Sequence, residues 1–215
     1  MATLPQAQLS YLALGDSYSI GEGVEADGRW PMQLARGLRD AGIAISDPRI
    51  IATTGWTTDE LSAAMDDAEP LGEWDFVSLL IGVNNQYRGR DVDDYLGEFA
   101  RLLQHAIALA NARAERVLVL SIPDWGVTPF GVASERDVEQ ISNALDAYNA
   151  AAREVCMAHG VAFVDIADVS RARGAEPAML AEDGLHPSAR LYAEWTRLAL
   201  PVAKELLDGE WEVSA

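Results

Sequence analysis

The 215-residue sequence has a single cysteine, Cys156, which excludes an internal disulfide and any cysteine-built metal cluster. Cys156 lies in the apolar run Val155-Cys156-Met157, where a buried, inert thiol is expected. Basic residues are scarce too. Sixteen Lys and Arg face 34 Asp and Glu, a net charge of -18. That argues against nucleic acid, which demands a cationic footprint, and against docking on anionic membrane surfaces. No stretch approaches the roughly 20 apolar residues needed to span a bilayer. Met1 to Gln8 has neither the basic nor the apolar region of a secretory signal, so a cytoplasmic home is the expectation. Internal repeats, low-complexity segments and linkers are also lacking.

What is present suits a folded protein. Apolar residues make up 49% of the chain, enough for one sizeable core, and a single domain over residues 1–215 is expected. Short apolar runs alternate with longer amphipathic ones, the pattern of a parallel sheet covered by helices. Strands are expected over 10–14, 43–53, 76–81, 116–122 and 161–165. The second is the weakest, interrupted by Asp47-Pro48. The third is apolar nearly throughout, as a central parallel strand buried on both faces should be. Helices are expected over 30–41, 57–67, 91–113, 135–159 and 188–207. Two connectors, 123–134 and 166–187, are long for such a fold, and long loops often carry function. In an open parallel sheet the site lies beyond the carboxyl ends of the strands.

The first strand runs into Leu14-Gly15-Asp16-Ser17. A nucleophilic serine needs a tight turn that projects its hydroxyl, and Gly15 permits one. Asp-Ser is equally a common turn or helix-cap pair. Such a serine also needs a base, and histidine has a suitable pKa. Only three histidines exist. His105 sits inside an amphipathic helix, and His159 precedes Gly160 at a helix end, where a cation suits the dipole. His186 lies instead in the loop Glu182-Asp183-Gly184-Leu185-His186-Pro187. Asp183, three residues before it, is placed to hold one ring nitrogen while the other faces the serine. Donors for a developing oxyanion are also needed. Candidates are the Ser17 amide, the Gly55 amide after the second strand, and the Asn84 side chain after the third. Gly55 and Asn84 also read as ordinary turn residues.

Together these motifs resemble the SGNH hydrolases, also called the GDSL esterase/lipase family. Gly15-Asp16-Ser17 matches the family's first block, with Tyr18 where leucine is common. Gly55 matches the second-block glycine, Gly82-Val83-Asn84-Asn85 the Gly-x-Asn-Asp block, and Asp183 to His186 the final Asp-x-x-His. Asn85 replaces the block's usual aspartate, which is not a triad member. The resemblance implies a three-layer α/β/α, flavodoxin-like fold with a five-stranded parallel sheet. It also implies a Ser17-Asp183-His186 triad, with Ser17, Gly55 and Asn84 as the oxyanion hole and no metal or cofactor.

The expected activity is hydrolysis of small carboxylic esters through an acyl-enzyme. Carbohydrate O-acetylesterase and acyltransferase activities on the same site are alternatives, and lysophospholipase activity or a non-catalytic binding module lie further off. The expected partner is a small-molecule ester. Trp56, Asn85, Trp125 and Met179 are the expected substrate-binding residues, with Gln86, Tyr87, Phe130 and Leu180 as further pocket candidates. Apolar walls favour an acyl or aryl group.

Overall fold

A computed structural model describes residues 8–209. The N-terminal segment considered for a secretory signal falls almost wholly outside them. Five strands form one parallel sheet in the order β2-β1-β3-β4-β5. They are β1 (Tyr11–Gly15), β2 (Arg49–Ala52), β3 (Phe76–Leu80), β4 (Val117–Leu120) and β5 (Ala162–Val164). This is the flavodoxin-like order. Every residue of β1, β3 and β4 is buried, whereas β2 at the edge begins with exposed Arg49. Burial on both faces explains why the central strands are almost wholly apolar.

The longer helices are α2 (Trp30–Asp40), α3 (Thr58–Asp67), α5 (Val92–Leu109), α7 (Val138–His159) and α9 (Ala189–Asp208). α2 packs against α9, and α5 packs against both α3 and α7, giving helical cover in two groups. Several helix ends carry a local signal. Thr57 and Glu60 form a capping box ahead of α3. Ser188 caps α9, and left-handed Gly160 and Gly209 end α7 and α9. Trp30, Trp195 and Tyr192 fill the core on the α2/α9 side.

Three expected elements come out shorter. The strand expected over 43–53 is reduced to β2, because Asp47-Pro48 breaks the run and Ile45 makes only an isolated bridge to Leu9. The helix expected over 91–113 stops at Leu109, where the Leu109 carbonyl accepts the Trp74 amide and Asn111 and Ala112 turn left-handed. The helix expected from 135 begins at Val138, because Asp137 caps it and accepts the Glu139 amide at 3.0 Å.

The connectors carry four short helices that periodicity did not reveal. These are α1 (Ser17–Ile20), α4 (Val83–Tyr87), α6 (Pro129–Ala133) and α8 (Ala167–Arg173). A single helical turn is too short to show a 3.6-residue pattern. α1 and α4 follow β1 and β3, the neighbours between which the strand order reverses. A crevice therefore opens there at the carboxyl edge of the sheet.

Candidate active site

Gly15 ends β1 in line with Leu80 of β3. A Cβ there would lie 2.5 Å from the Leu80 carbonyl oxygen, so only glycine lets the two chains run this close. Asp16 then caps α1, its Oδ1 accepting the Tyr18 amide at 3.0 Å. Ser17 is the first residue of that helix, and a first-turn amide has no acceptor inside its own helix. The turn thus presents the Ser17 hydroxyl and leaves its N–H free of the helix.

Asp16 is fully buried. Burial pushes its carboxyl up to about 7, against the opposing hydrogen bond from the Tyr18 amide. Its Oδ2 has no hydrogen-bond partner among the described residues.

The loop before α9 supplies the histidine. Residues 180–187 fold back on themselves through a Leu180–Pro187 bridge, and the Ala181 amide donates to the His186 carbonyl at 2.8 Å. Asp183 Oδ1 accepts the amides of Leu185 and His186, both at 2.9 Å. Its Oδ2 lies 2.5 Å from His186 Nδ1. Partial desolvation raises the Asp183 carboxyl, but the ring and the two amides outweigh it and hold the group below the usual carboxylate range. The His186 ring packs on Tyr18, centroids 5.8 Å apart, beside Ser17 in sequence. Among the described residues neither Ser17 Oγ nor His186 Nε2 has a hydrogen-bond partner, and both residues line one cavity of about 220 Å³.

Gly55 and Asn84 line the same cavity. Gly55 takes φ 89°, a left-handed value that disfavours a side chain, and its carbonyl accepts Arg88 Nη2 at 2.7 Å. Asn84 Nδ2 donates to the Trp56 carbonyl at 2.9 Å. An amide nitrogen carries two hydrogens, so one is left without a partner among the described residues. α4 therefore tethers the Gly55 turn twice, through Asn84 and Arg88. Arg88 was not among the residues singled out in the sequence.

Apart from Thr54, the remaining lining is apolar or aromatic: Tyr18, Val83, Tyr87, Trp125, Phe130 and Leu185. Trp125 is fixed by its Nε1 donating to Gln86 Oε1 at 2.9 Å. Three of the expected substrate contacts do not line the cavity. Asn85 is fully buried, its Oδ1 accepting the Thr58 amide and its Nδ2 donating to Thr58 Oγ1 at 2.6 Å and toward Glu98. One residue step along α4 from Asn84 turns it away from the cavity, because successive helical residues face about 100° apart. Met179 is buried in the core, and Trp56 packs against the core, its carbonyl holding Asn84. Leu180, also considered, lies under the site instead, in a gap shared with Trp195. Sequence reading passed over Tyr18, Thr54, Val83 and Leu185, although each adjoins a motif residue.

The other titratable candidates stand apart. His105 faces Glu69, and His159 Nδ1 meets the Val155 carbonyl at the end of α7. Cys156 is fully buried, and burial pushes its thiol up to about 12.

The family model for the GDSL-like lipase/acylhydrolase family matches residues 13–194. The chain belongs to that family. Its matched segment runs from β1 into α9 and so contains every residue of the cavity. No curated protein matches the chain by sequence. Among solved structures, TesA superposes with a TM-score of 0.73 at 20% identity, covering 92% of this chain and 99% of its own. A lipase/acylhydrolase from Enterococcus faecalis gives 0.66 at 20% identity, with 97% and 100% covered. Axe2, an acetylxylan esterase from Geobacillus stearothermophilus, gives 0.68 at 18% identity, with 91% and 94% covered. These similarities establish the fold. As a member of the GDSL-like family the protein is a hydrolase. Its two departures from the motif pattern have structural roles here: Tyr18 packs on the His186 ring, and Asn85 binds the start of α3. No helix among the described residues is long and apolar enough to cross a membrane.

Proposed function

We propose that the protein is a serine esterase acting on small carboxylic esters through Ser17, His186 and Asp183. The observation that carries this reading is the Asp183–His186 pair. One ring nitrogen is engaged 2.5 Å from the carboxylate, and the ring sits in the cavity that Ser17 lines. Asp183 fixes the tautomer that leaves Nε2 as the acceptor and stabilises the imidazolium that forms. His186 takes the proton as Ser17 Oγ attacks the ester carbonyl. The oxyanion is received by the Ser17 amide, the Gly55 amide and the free Asn84 N–H. The alcohol leaves with the proton from His186, and water repeats the steps in reverse on the acyl-enzyme. The Ser17–His186 hydrogen bond belongs to the substrate-bound enzyme, since such bonds are often long in unliganded sites.

The cavity size supports small substrates. About 220 Å³ lies below the roughly 300–1,000 Å³ of drug-sized ligand sites. The acidic surface fits a neutral small-molecule ester better than an anionic polymer. Treatment with a fluorophosphonate probe, followed by peptide mapping, tests the assignment. Modification at Ser17, with Ser17→Ala both unlabelled and about 10⁶-fold slower on a chromogenic acetyl ester, is the expected result. Labelling elsewhere, or undiminished turnover in Ser17→Ala, would remove Ser17 from the mechanism.

A further inference from the structure

The apolar wall of the cavity is held from behind. Tyr87 and Trp125 meet edge to face, with centroids 5.3 Å apart. Tyr87 is 39% exposed, so its ring has little cover of its own. The cover comes from Arg136. Its guanidinium lies 4.3 Å from the Tyr87 ring centroid and 5.8 Å from that of Trp125. Arg136 Nη1 also donates to the Tyr87 carbonyl at 2.9 Å. One side chain thus grips Tyr87 by both ring and backbone.

Two further facts bear on Arg136. Like Arg29, Arg36, Arg49, Arg101, Arg116 and Arg190 it forms no salt bridge among the described residues, so the contacts that hold it are those to the Tyr87 carbonyl and to the Tyr87 and Trp125 rings. Its charge is directed at the rings, where a guanidinium is attracted to the negative π-face. The backbone is also set to deliver it. Glu135 takes φ 60°, an unfavourable value for a non-glycine residue, between the end of α6 at Ser134 and the Asp137 cap of α7. That kink links the segment carrying Phe130, which lines the cavity from within, to Arg136, which braces it from outside.

We infer that Arg136 is a positioning residue that sets acyl-group selectivity by holding Tyr87 and Trp125 upright as the wall of the ester cavity. The inference rests on the esterase reading above. An acetyl group is positioned by Ser17 and the oxyanion donors and barely reaches the wall. A longer acyl chain lies against it and depends on its shape.

The test is steady-state kinetics on p-nitrophenyl esters from acetyl to octanoyl, for wild type, Arg136→Ala, Arg136→Lys, Tyr87→Ala and the Arg136→Ala/Tyr87→Ala double variant. Arg136→Ala should raise KM on butyryl and longer esters by about tenfold, with kcat within about twofold and a smaller effect on acetyl. Arg136→Lys, which keeps a cation but loses the fork, should fall between. The double variant should be no worse than Tyr87→Ala, because Arg136 acts through that ring. Equal losses at every chain length, an unchanged profile, or additive effects would overturn the inference. If Arg136→Ala does not fold, the Arg136→Lys profile decides on the same criteria. Failure of the esterase reading shows separately, as wild-type turnover that survives Ser17→Ala.

Discussion

His186 Nδ1 lies 2.5 Å from Asp183 Oδ2, while Asp183 Oδ1 accepts the amides of Leu185 and His186 at 2.9 Å. A spacing of three residues in a folded-back loop makes both bonds possible at once. The carboxylate is therefore oriented before it orients the ring.

Asp183→Asn should lower kcat by about 10⁴, because an amide cannot hold the required tautomer or offset the imidazolium charge. The same variant has a stability signature. The folded-state pKa of Asp183 is depressed, so its contribution is present above the unfolded value near 3.9 and is lost as pH falls through the folded value. Thermal melts across pH should show the advantage of wild type over Asp183→Asn shrinking below about pH 4. Parallel curves would contradict this.

Adjacent asparagines should give opposite phenotypes. Asn84→Ala removes a proposed oxyanion donor together with the Trp56 tether and should lower kcat by about 10²–10³, with a smaller loss of stability than Asn85→Ala. Asn85→Ala leaves the buried Thr58 amide without its acceptor, while the Thr58 hydroxyl keeps Glu98, and should cost about 1–3 kcal/mol of stability. Chemical denaturation alongside kinetics separates the two.

Asp16 offers a prediction of opposite sign to Asp183. Its folded-state pKa is raised to about 7, so its contribution to stability is fully present below the unfolded value and is lost as pH rises toward 7. Asp16→Asn keeps an acceptor for the Tyr18 amide without the buried charge. The variant should gain stability relative to wild type between about pH 4 and pH 7, read from melts on both proteins. A constant difference over that range would rule out titration of Asp16 there.

Gly15→Ala places a methyl 2.5 Å from the Leu80 carbonyl, a backbone atom that cannot swing away. Overpacking of this kind costs about 1–3 kcal/mol. Because the displaced segment carries Ser17, the folded fraction should also lose kcat. A stable variant with full activity would show that β1 and β3 can part without moving the serine.

The approximate extents of the strands and long helices were legible because central parallel strands and capped helices leave periodic and terminal signals, whereas the flavodoxin-like sheet was implied only by the family resemblance. Gly15-Asp16-Ser17, Gly82 to Asn85, and Asp183 to His186 were legible because each is a local turn with its own residue demands. Asn85 was misread because a loop position after a strand does not reveal which way a side chain turns. In the folded protein it turns inward, to Thr58 and Glu98.

The sequence by itself determined the α/β class, the exclusion of an internal disulfide and of a cysteine-built metal cluster, and the residue set from which a serine, a histidine and an aspartate are drawn. Only the tertiary structure decided the rest. The cavity wall joins Tyr87 of α4, Trp125 of the loop after β4, and Leu185 of the loop before α9, while Arg136 braces it from the start of α7. These residues are far apart along the chain, and no local pattern couples them. Their meeting follows from strand order and helix packing, which bring the carboxyl ends of β1, β3 and β4 to one edge of the sheet.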